Sequence, residues 1–239
     1  GVSVQLGQAV ERAHWDGQPV LTDAAGRQHR PDFVVLAVPW TRLEGLVDES
    51  ITVRWPWFDD VARLESSPIT GVHLWFDRPI MPLPHAVLVG RVSQWVFARP
   101  DSHNGPSREH YYQVIISASR DLAERDRDDV VRTVHAELAS IWPQAREADL
   151  LRARVVHQPS AVFSVTPEST RMRPPQQTEF TNVLVAGDWT ATGWPATMEG
   201  AVRSGYLAAE AILRSLGRPQ RIVAPPLERE WLARLLIRD

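Results

Sequence analysis

The chain has 239 residues, a mass of 26.9 kDa, a formal net charge of −3 at pH 7 and a sequence pI near 6.3. This length allows one large domain or two modest ones, and the charge argues against a dedicated nucleic-acid binder. The absence of cysteine excludes disulfides, thiol nucleophiles and Cys-based metal sites. All 26 basic residues are arginine, which excludes a Schiff-base lysine and a P-loop.

The first 40 residues predict a small β-meander. Apolar and polar residues alternate over residues 2–6, which is typical of a half-buried strand. A second strand is expected near residues 19–22, followed by a turn at 23–26. The run Phe33–Val38 is apolar at consecutive positions, so we expect a strand covered on both faces that ends before Pro39.

The middle of the chain predicts a sheet with one wide apolar face. Four strands are expected at 68–76, 86–89, 95–98 and 111–118. A helix is expected over residues 127–142, because apolar side chains recur there at helical spacing, and Pro143 ends it.

The C-terminal third predicts a strand, a turn and a long helix. A short buried strand over 182–188 ends in Gly-Asp, and a helix opened by Pro195 and Thr197 runs to about residue 216. Gly217 lies at the expected C-terminal position of that helix. Residues 225–238 predict a last amphipathic helix, which could lie on a membrane surface or pack on its own domain.

The Gly187-Asp188 turn before a helix start suits a polar cofactor. A helix N-terminus presents unpaired N–H groups and a partial positive charge, so an anionic group is favoured there. Small residues on one face of this helix allow another backbone to pack closely against it. The pattern alone is more often that of an ordinary buried β–α unit.

The whole string from Leu184 to Ala209 resembles the C-terminal FAD signature of phytoene-desaturase and amine-oxidase-like flavoproteins. Its form Gly-Asp-Trp-Thr-x-Thr-Gly-x-Pro-Ala-Thr-x-Glu-Gly is most similar to the squalene-associated FAD-dependent enzymes, the hydroxysqualene dehydroxylases. Residues 67–79 and 94–97 are similar to the substrate domain of that family. The resemblance implies an α+β or α/β fold: the C-terminal part of a two-domain flavoprotein, with a mixed-sheet substrate domain and the returning half of a Rossmann-like FAD domain.

The resemblance also implies boundaries and site residues. It gives an FAD-domain meander and strand at 1–50, a substrate-binding domain at 51–160, the returning FAD strand and helix at 161–217, and a tail helix at 218–239. Asp188 would bind the ribityl or pyrophosphate part of FAD, and the helix start would lie at the pyrimidine edge of the flavin. The cofactor-binding residues so implied are Val10, Val38, Pro39, Gly187, Asp188, Trp189, Pro195, Ala196, Thr197 and Met198.

Roles for several other side chains are predicted from their residue type and position. We expect Trp189 and Trp194 to face the cofactor or substrate, and His73 to be a packed residue of an apolar strand. Glu199 either caps the helix or hydrogen-bonds near the flavin. No side chain is assigned as a catalytic acid or base, and the histidines show no metal-ligand spacing.

No Gly-x-Gly-x-x-Gly occurs in the chain, although such flavoproteins open with that turn. We therefore expect a C-terminal portion of a longer enzyme, with the N-terminal FAD-binding segment as its missing partner. The resemblance implies a cytoplasmic oxidoreductase that forms squalene from hydroxysqualene, a long isoprenoid, for hopanoid or carotenoid synthesis, with peripheral contact to the inner membrane face left open. The alternatives are a carotenoid (phytoene-type) desaturase and a non-catalytic fragment that binds lipid or a partner.

Overall fold

The computed structural model describes residues 1–99 and 109–225, and it divides the chain into two compact units. The discontinuous unit combines Gly1–Arg63 with the described residues from Val165 onward. The inserted unit is Leu64–Ser164. The expected tail helix at 225–238 lies almost wholly outside the described residues. No helix within them has the length and apolarity needed to cross a bilayer.

The discontinuous unit contains two small sheets and one long helix. Its strands are Val10–Trp15 (β1), Pro19–Asp23 (β2), Gln28–His29 (β3) and Val34–Leu36 (β4), with Val183–Val185 (β10) returning late in the chain. Its helices are Leu43–Leu46 (α1), Glu49–Thr52 (α2), Phe58–Ala62 (α3), Pro167–Met172 (α6) and Met198–Ser215 (α7), and Trp40–Arg42 forms a 3₁₀ turn.

The meander forms as expected, but it starts later than the sequence predicted. β1, β2 and β3 pair antiparallel, and the β2–β3 turn is closed by the Asp23 carboxylate, which accepts from the backbone N–H groups of Ala25 and Arg27. The hydrogen bond from His29 contributes most to holding the pKa of Asp23 down at about 2. Residues 2–6 form no strand, so that prediction is wrong: Val2 and Leu6 are 93% and 89% exposed.

A two-stranded parallel sheet carries the site. β10 pairs with β4 in the register Val183↔Val34 to Val185↔Leu36. All three residues of β10 are buried, whereas Val35 of β4 is 39% exposed. The expectation that the strand at 33–38 is covered on both faces is therefore wrong for the described chain. Its alternating burial shows that only one face is packed.

The inserted unit is built on a five-stranded sheet in the order β6-β7-β8-β5-β9. Its strands are Ser66–Phe76 (β5), His85–Val87 (β6), Trp95–Arg99 (β7), His110–Ser117 (β8) and Leu150–Phe163 (β9). The described strands pair antiparallel throughout, so the sheet differs in this detail from the mixed sheet that was expected. β9 was not predicted, because its largely exposed residues give no alternating apolar signal.

One face of this sheet forms the core of the unit. The helix Arg127–Ile141 (α4) begins at Asp126, whose carboxylate accepts from the N–H groups of Asp128 and Asp129, and Pro143 opens the short helix Pro143–Glu147 (α5). Val130, Val134 and Leu138 recur along α4 and are buried. They pack with Val72, Leu74, Phe76 and Val114 of the sheet.

The opposite face of the sheet is not part of that core. Side chains alternate along a strand, so the neighbours of the buried β5 residues point to this other face. His73 and Trp75 are half-buried there, and Trp95 of β7 is 40% exposed. His73 is therefore a packed residue, as expected, but it packs against the Trp75 and Tyr111 rings on this face and not in the core.

Candidate functional site

The candidate site lies where β4 and β10 end. Parallel strands finish at the same edge of their sheet, so the loops that follow them are neighbours. The Ala186 N–H donates to the Leu36 carbonyl at 3.1 Å. Further along, the Trp189 indole N–H donates to the Val38 carbonyl at 2.9 Å. These two bonds bring the segments Val38-Pro39 and Gly187-Asp188 together.

Gly187 makes a turn that a side chain would obstruct. Its φ is +150°, and a Cβ built on it would lie 2.3 Å from the indole nitrogen of Trp189. The Gly187 N–H donates to the Ser204 hydroxyl of α7 at 2.8 Å. This bond fixes the turn to the helix, and the indole of Trp189 fills the space that a side chain at position 187 would need.

The Asp188 carboxylate is half-buried at the mouth of this turn. It accepts hydrogen bonds from its own N–H and from that of Trp189, which favour the charged form. Burial outweighs these contacts and raises the pKa of Asp188 above its ordinary value. A carboxylate with remaining acceptor capacity in such a place is suited to a hydroxyl or N–H donor of a ligand.

Arg173 is a site residue that the sequence did not reveal. Its guanidinium donates to the carbonyls of Asp188 and Thr190 and so fixes the backbone beneath the carboxylate. Burial lowers the pKa of Arg173, while the charge of Asp188 raises it. The Gln176 amide supports the same loop through Thr190 at 2.8 Å. Neither residue stands in a recognisable motif, because each acts on carbonyl or hydroxyl groups from a separate loop.

The start of α7 is open and its N–H groups are available. The Thr197 hydroxyl accepts from the Gly200 N–H at 3.1 Å and caps the helix. In the described chain, this cap leaves the N–H groups of Met198 and Glu199 without a hydrogen-bond partner. Met198 is 89% exposed, so the helix end is not covered by other described residues. The Glu199 side chain is half-exposed and reaches Arg203 at 3.7 Å, so its predicted alternative role as the cap is wrong.

The ten residues named from the sequence fall into three groups. Val38, Pro39, Gly187, Asp188 and Trp189 meet at the strand edge, and Pro195, Ala196, Thr197 and Met198 form the start of α7. Val10 lies at the first position of β1 and pairs with Asp23 of β2. Among the described strands, no pairing joins Val10 to either of the other two groups.

The two tryptophans behave differently. The Trp189 side chain has no exposed surface, so the prediction that it faces cofactor or substrate is wrong and it serves to pack the turn. Trp194 is 38% exposed, and its N–H donates to the Thr192 hydroxyl at 3.2 Å. Which ligand Trp194 faces stays a prediction.

These features fit part of a flavin site. A half-buried carboxylate accommodates hydroxyl donors, and a helix start with free N–H groups stabilises a group that becomes anionic on reduction.

A Cβ on Gly200 would lie 2.8 Å from the Pro195 carbonyl, so the chain bends tightly onto the helix at this point.

Residues 1–213 match the family model described as flavin containing amine oxidoreductase. The chain belongs to this family. Its expected FAD cofactor and its expected class, an oxidoreductase enzyme, are confirmed at the level of the family.

Similar proteins agree with this membership. A 15-cis-phytoene desaturase of Synechococcus elongatus is 29% identical over 204 residues, which cover 79% of this chain and 43% of that protein. A hydroxysqualene dehydroxylase of Sinorhizobium fredii is 36% identical over 191 residues, covering 76% of this chain and 39% of the relative. The expected resemblance is therefore confirmed. The chain spans less than half the length of these relatives.

A solved structure shares the fold. Cyclohexylamine oxidase from Brevibacterium oxydans matches with a TM-score of 0.64 at 18% identity, over 88% of this chain and 49% of that one. This likeness confirms the predicted fold class, a flavin amine oxidase-like α+β architecture.

Proposed function

We propose that the protein is an FAD-dependent oxidoreductase of isoprenoid metabolism that converts hydroxysqualene to squalene. The observation that carries the proposal is the arrangement of the Asp188 carboxylate and the open start of α7 beside one sheet edge, within a motif of the amine oxidoreductase family. The substrate is supported by the Sinorhizobium relative and by the aromatic face of the inserted unit. In this proposal the discontinuous unit contributes half of the FAD site, and the inserted unit binds the substrate.

The residues of the discontinuous unit would bind and orient the cofactor. Asp188 would accept a hydrogen bond from the ribityl chain or lie at the pyrophosphate. Backbone groups of Ala196, Thr197 and Met198 would lie at the pyrimidine edge of the ring. Val38 and Pro39 would lie beside the nucleotide, and Val10 beside the adenine. The dipole of α7 would stabilise negative charge at this edge.

FAD, when bound, supplies the two-electron transfer, and the chain's own residues supply binding and electrostatics. The inserted unit would exclude water from a long hydrocarbon through its aromatic side chains. In the proposed direction, reduced FAD would supply the hydride equivalent that replaces the allylic C–O bond of hydroxysqualene by a C–H bond, and the oxygen would leave as hydroxide.

Phytoene desaturation is the second candidate. It uses the same cofactor in the opposite redox direction, and the Synechococcus relative carries that name. Phytoene has no hydroxyl group, so the two substrates differ in what the site must recognise.

The native gene product, purified with its flavin, tests the proposal. With reduced flavin and hydroxysqualene under anaerobic conditions, we expect squalene; with oxidised flavin and phytoene, we expect no desaturated product. Desaturation of phytoene without squalene formation would establish the second candidate. A product that carries no flavin and reacts with neither compound would instead support a non-catalytic fragment.

A further inference from the structure

A polar pair lies within the open face of the inserted unit's sheet. His73 of β5 and Tyr111 of β8 approach at 2.6 Å between imidazole Nδ1 and the phenol oxygen. Both side chains are half-buried, and their rings stack at 5.9 Å between centroids. The pair is not needed for the core, which lies on the other face of the sheet.

The surroundings of the pair combine aromatic and apolar side chains with polar and charged ones: the strand register sets Gln113 and Arg154 beside His73, and Arg99 beside Tyr111. The Trp75 ring lies 5.0 Å from the Tyr111 ring, and the Trp95 and Phe97 rings stack at 5.6 Å on β7 of the same sheet. Strand alternation places Ile115 and Val156 on this face as well, and Val156 is 41% exposed. Arg152 covers the Trp75 ring at 4.0 Å and is paired with Glu109, so its charge is compensated.

Gly71 leaves space beside the imidazole. A Cβ at this position would lie 3.6 Å from His73 Nε2 and 4.0 Å from the Ile115 side chain, so Nε2 borders a part of the sheet that carries no side chain. Among the described residues, no group is hydrogen-bonded to Nε2. The second ring nitrogen is therefore available to a ligand.

The pair offers one donor and one acceptor in either tautomer. If the Tyr111 hydroxyl donates to Nδ1, then Nε2 carries the proton and a phenol lone pair is free. If Nδ1 donates to the phenol oxygen, the phenol O–H is free to donate and Nε2 accepts. Burial, together with the charges of Arg154 and Arg99, lowers the pKa of His73, which keeps the imidazole neutral at pH 7.

We propose that His73 and Tyr111 form a recognition site for the hydroxyl group of a long apolar alcohol. An alcohol is itself one donor and one acceptor, so it matches what the pair leaves free, and its hydrocarbon suits the aromatic face. A ligand without the hydroxyl would cover both groups without supplying a hydrogen-bond partner, so it would bind more weakly than the alcohol. The inference rests on the proposed function and makes this pair a determinant of specificity for hydroxysqualene over hydrocarbons such as phytoene.

Two conservative variants test the proposal. Tyr111→Phe and His73→Phe keep a ring in the stack while removing the hydrogen-bonding groups. In the native gene product, we expect each to weaken binding of hydroxysqualene about tenfold. Binding of squalene, which lacks the hydroxyl, should stay unchanged. The readout is the ratio of the two dissociation constants, measured at equilibrium with oxidised flavin so that no turnover occurs.

Tyr112→Phe is the matched control. It removes the same hydroxyl from the next residue, which faces the core and accepts the Ile80 N–H at 3.0 Å. We expect it to lower stability and to leave the binding ratio at the wild-type value. Unchanged ratios in Tyr111→Phe and His73→Phe, in a wild type that forms squalene, would overturn the inference alone. A wild type that desaturates phytoene and binds both ligands equally would overturn the proposed function and the inference with it.

Discussion

At the scale of single residues, the ionised Asp188 carboxylate does not favour the fold. Its carboxylate is half-buried, and burial raises its pKa despite two backbone N–H donors and the neighbouring Arg173. A raised pKa in the folded state means that the fold favours the protonated acid. The stability associated with this group is therefore fully present below the ordinary Asp pKa and is lost as pH rises through the folded value.

Asp188→Asn should separate the effect of this carboxylate on stability from its effect on FAD binding. We expect the variant to unfold at an equal or higher urea concentration than the wild type at pH 7, with the difference vanishing below about pH 4, where the unfolded carboxyl is protonated. We expect its affinity for FAD in the native gene product to fall by about tenfold or more, because a hydrogen bond to a charged group is lost. Urea denaturation at pH 7 and pH 3.5, together with flavin titration, measures both.

Asp59→Asn is the control for that variant, since it removes the same charge from an exposed position of α3. It should leave flavin affinity at the wild-type value. Wild-type flavin affinity in Asp188→Asn would show that the carboxylate does not contact the cofactor.

At the scale of elements, the sequence was informative where packing is periodic. α4 was predicted almost to the residue from its apolar spacing and the Pro143 that follows it, and α7 from its Pro195 and Thr197 start and its Gly217 end. The prediction of a strand at 2–6 is wrong because alternation over five residues does not show whether a partner strand is present. β9 was missed for the opposite reason: its pairing with β5 is extensive, but most of its residues are exposed and its apolar residues do not alternate with polar ones.

The candidate site, like the fold, could be predicted only in part. The Gly187-Asp188 turn and the α7 start stand in one continuous motif, so local sequence was sufficient. Arg173 acts from another loop, and the His73–Tyr111 pair joins two strands 38 residues apart. Such contacts depend on tertiary register, which a single sequence does not give.

Gly200 and Gly205 both lie in α7, and we expect alanine at these two positions to change stability in opposite directions. A Cβ on Gly200 would lie 2.8 Å from the Pro195 carbonyl, whereas nothing lies within 4 Å of one on Gly205. We expect Gly200→Ala to lower the free energy of unfolding by about 1–3 kcal/mol, because backbone must shift. Gly205→Ala should raise it by about 0.5–1 kcal/mol, since alanine favours the helix.

Urea denaturation of both variants in the native gene product measures this difference. The Gly200 substitution should also weaken flavin binding, because it displaces the loop that leads into α7. Equal stabilities in the two variants would contradict the close approach of Pro195 to the helix.

At the scale of the whole molecule, the parallel sheet of the discontinuous unit is too small to be self-sufficient. Parallel strands are normally buried on both faces within sheets of more strands, yet in the described residues β4 and β10 pair only with each other, apart from isolated bridges. The chain also contains no Gly-x-Gly-x-x-Gly turn to bind a pyrophosphate. Both observations motivate our proposal that the FAD site is shared with polypeptide outside these 239 residues.

This sharing predicts a difference in flavin binding between the chain and its native gene product. We expect the 239-residue chain, expressed alone, to bind FAD at least 100-fold more weakly than the native product, because the pyrophosphate contacts and the completed sheet are missing. Titration followed by flavin fluorescence measures both affinities, and riboflavin, which lacks the pyrophosphate and adenosine, is the control ligand. It should discriminate less between the two proteins, since the α7 start would act on the ring, and Asp188 would contact riboflavin if it binds the ribityl chain and not the pyrophosphate. Tight one-to-one FAD binding by the chain alone would show that these residues suffice, and the shared site would have to be abandoned.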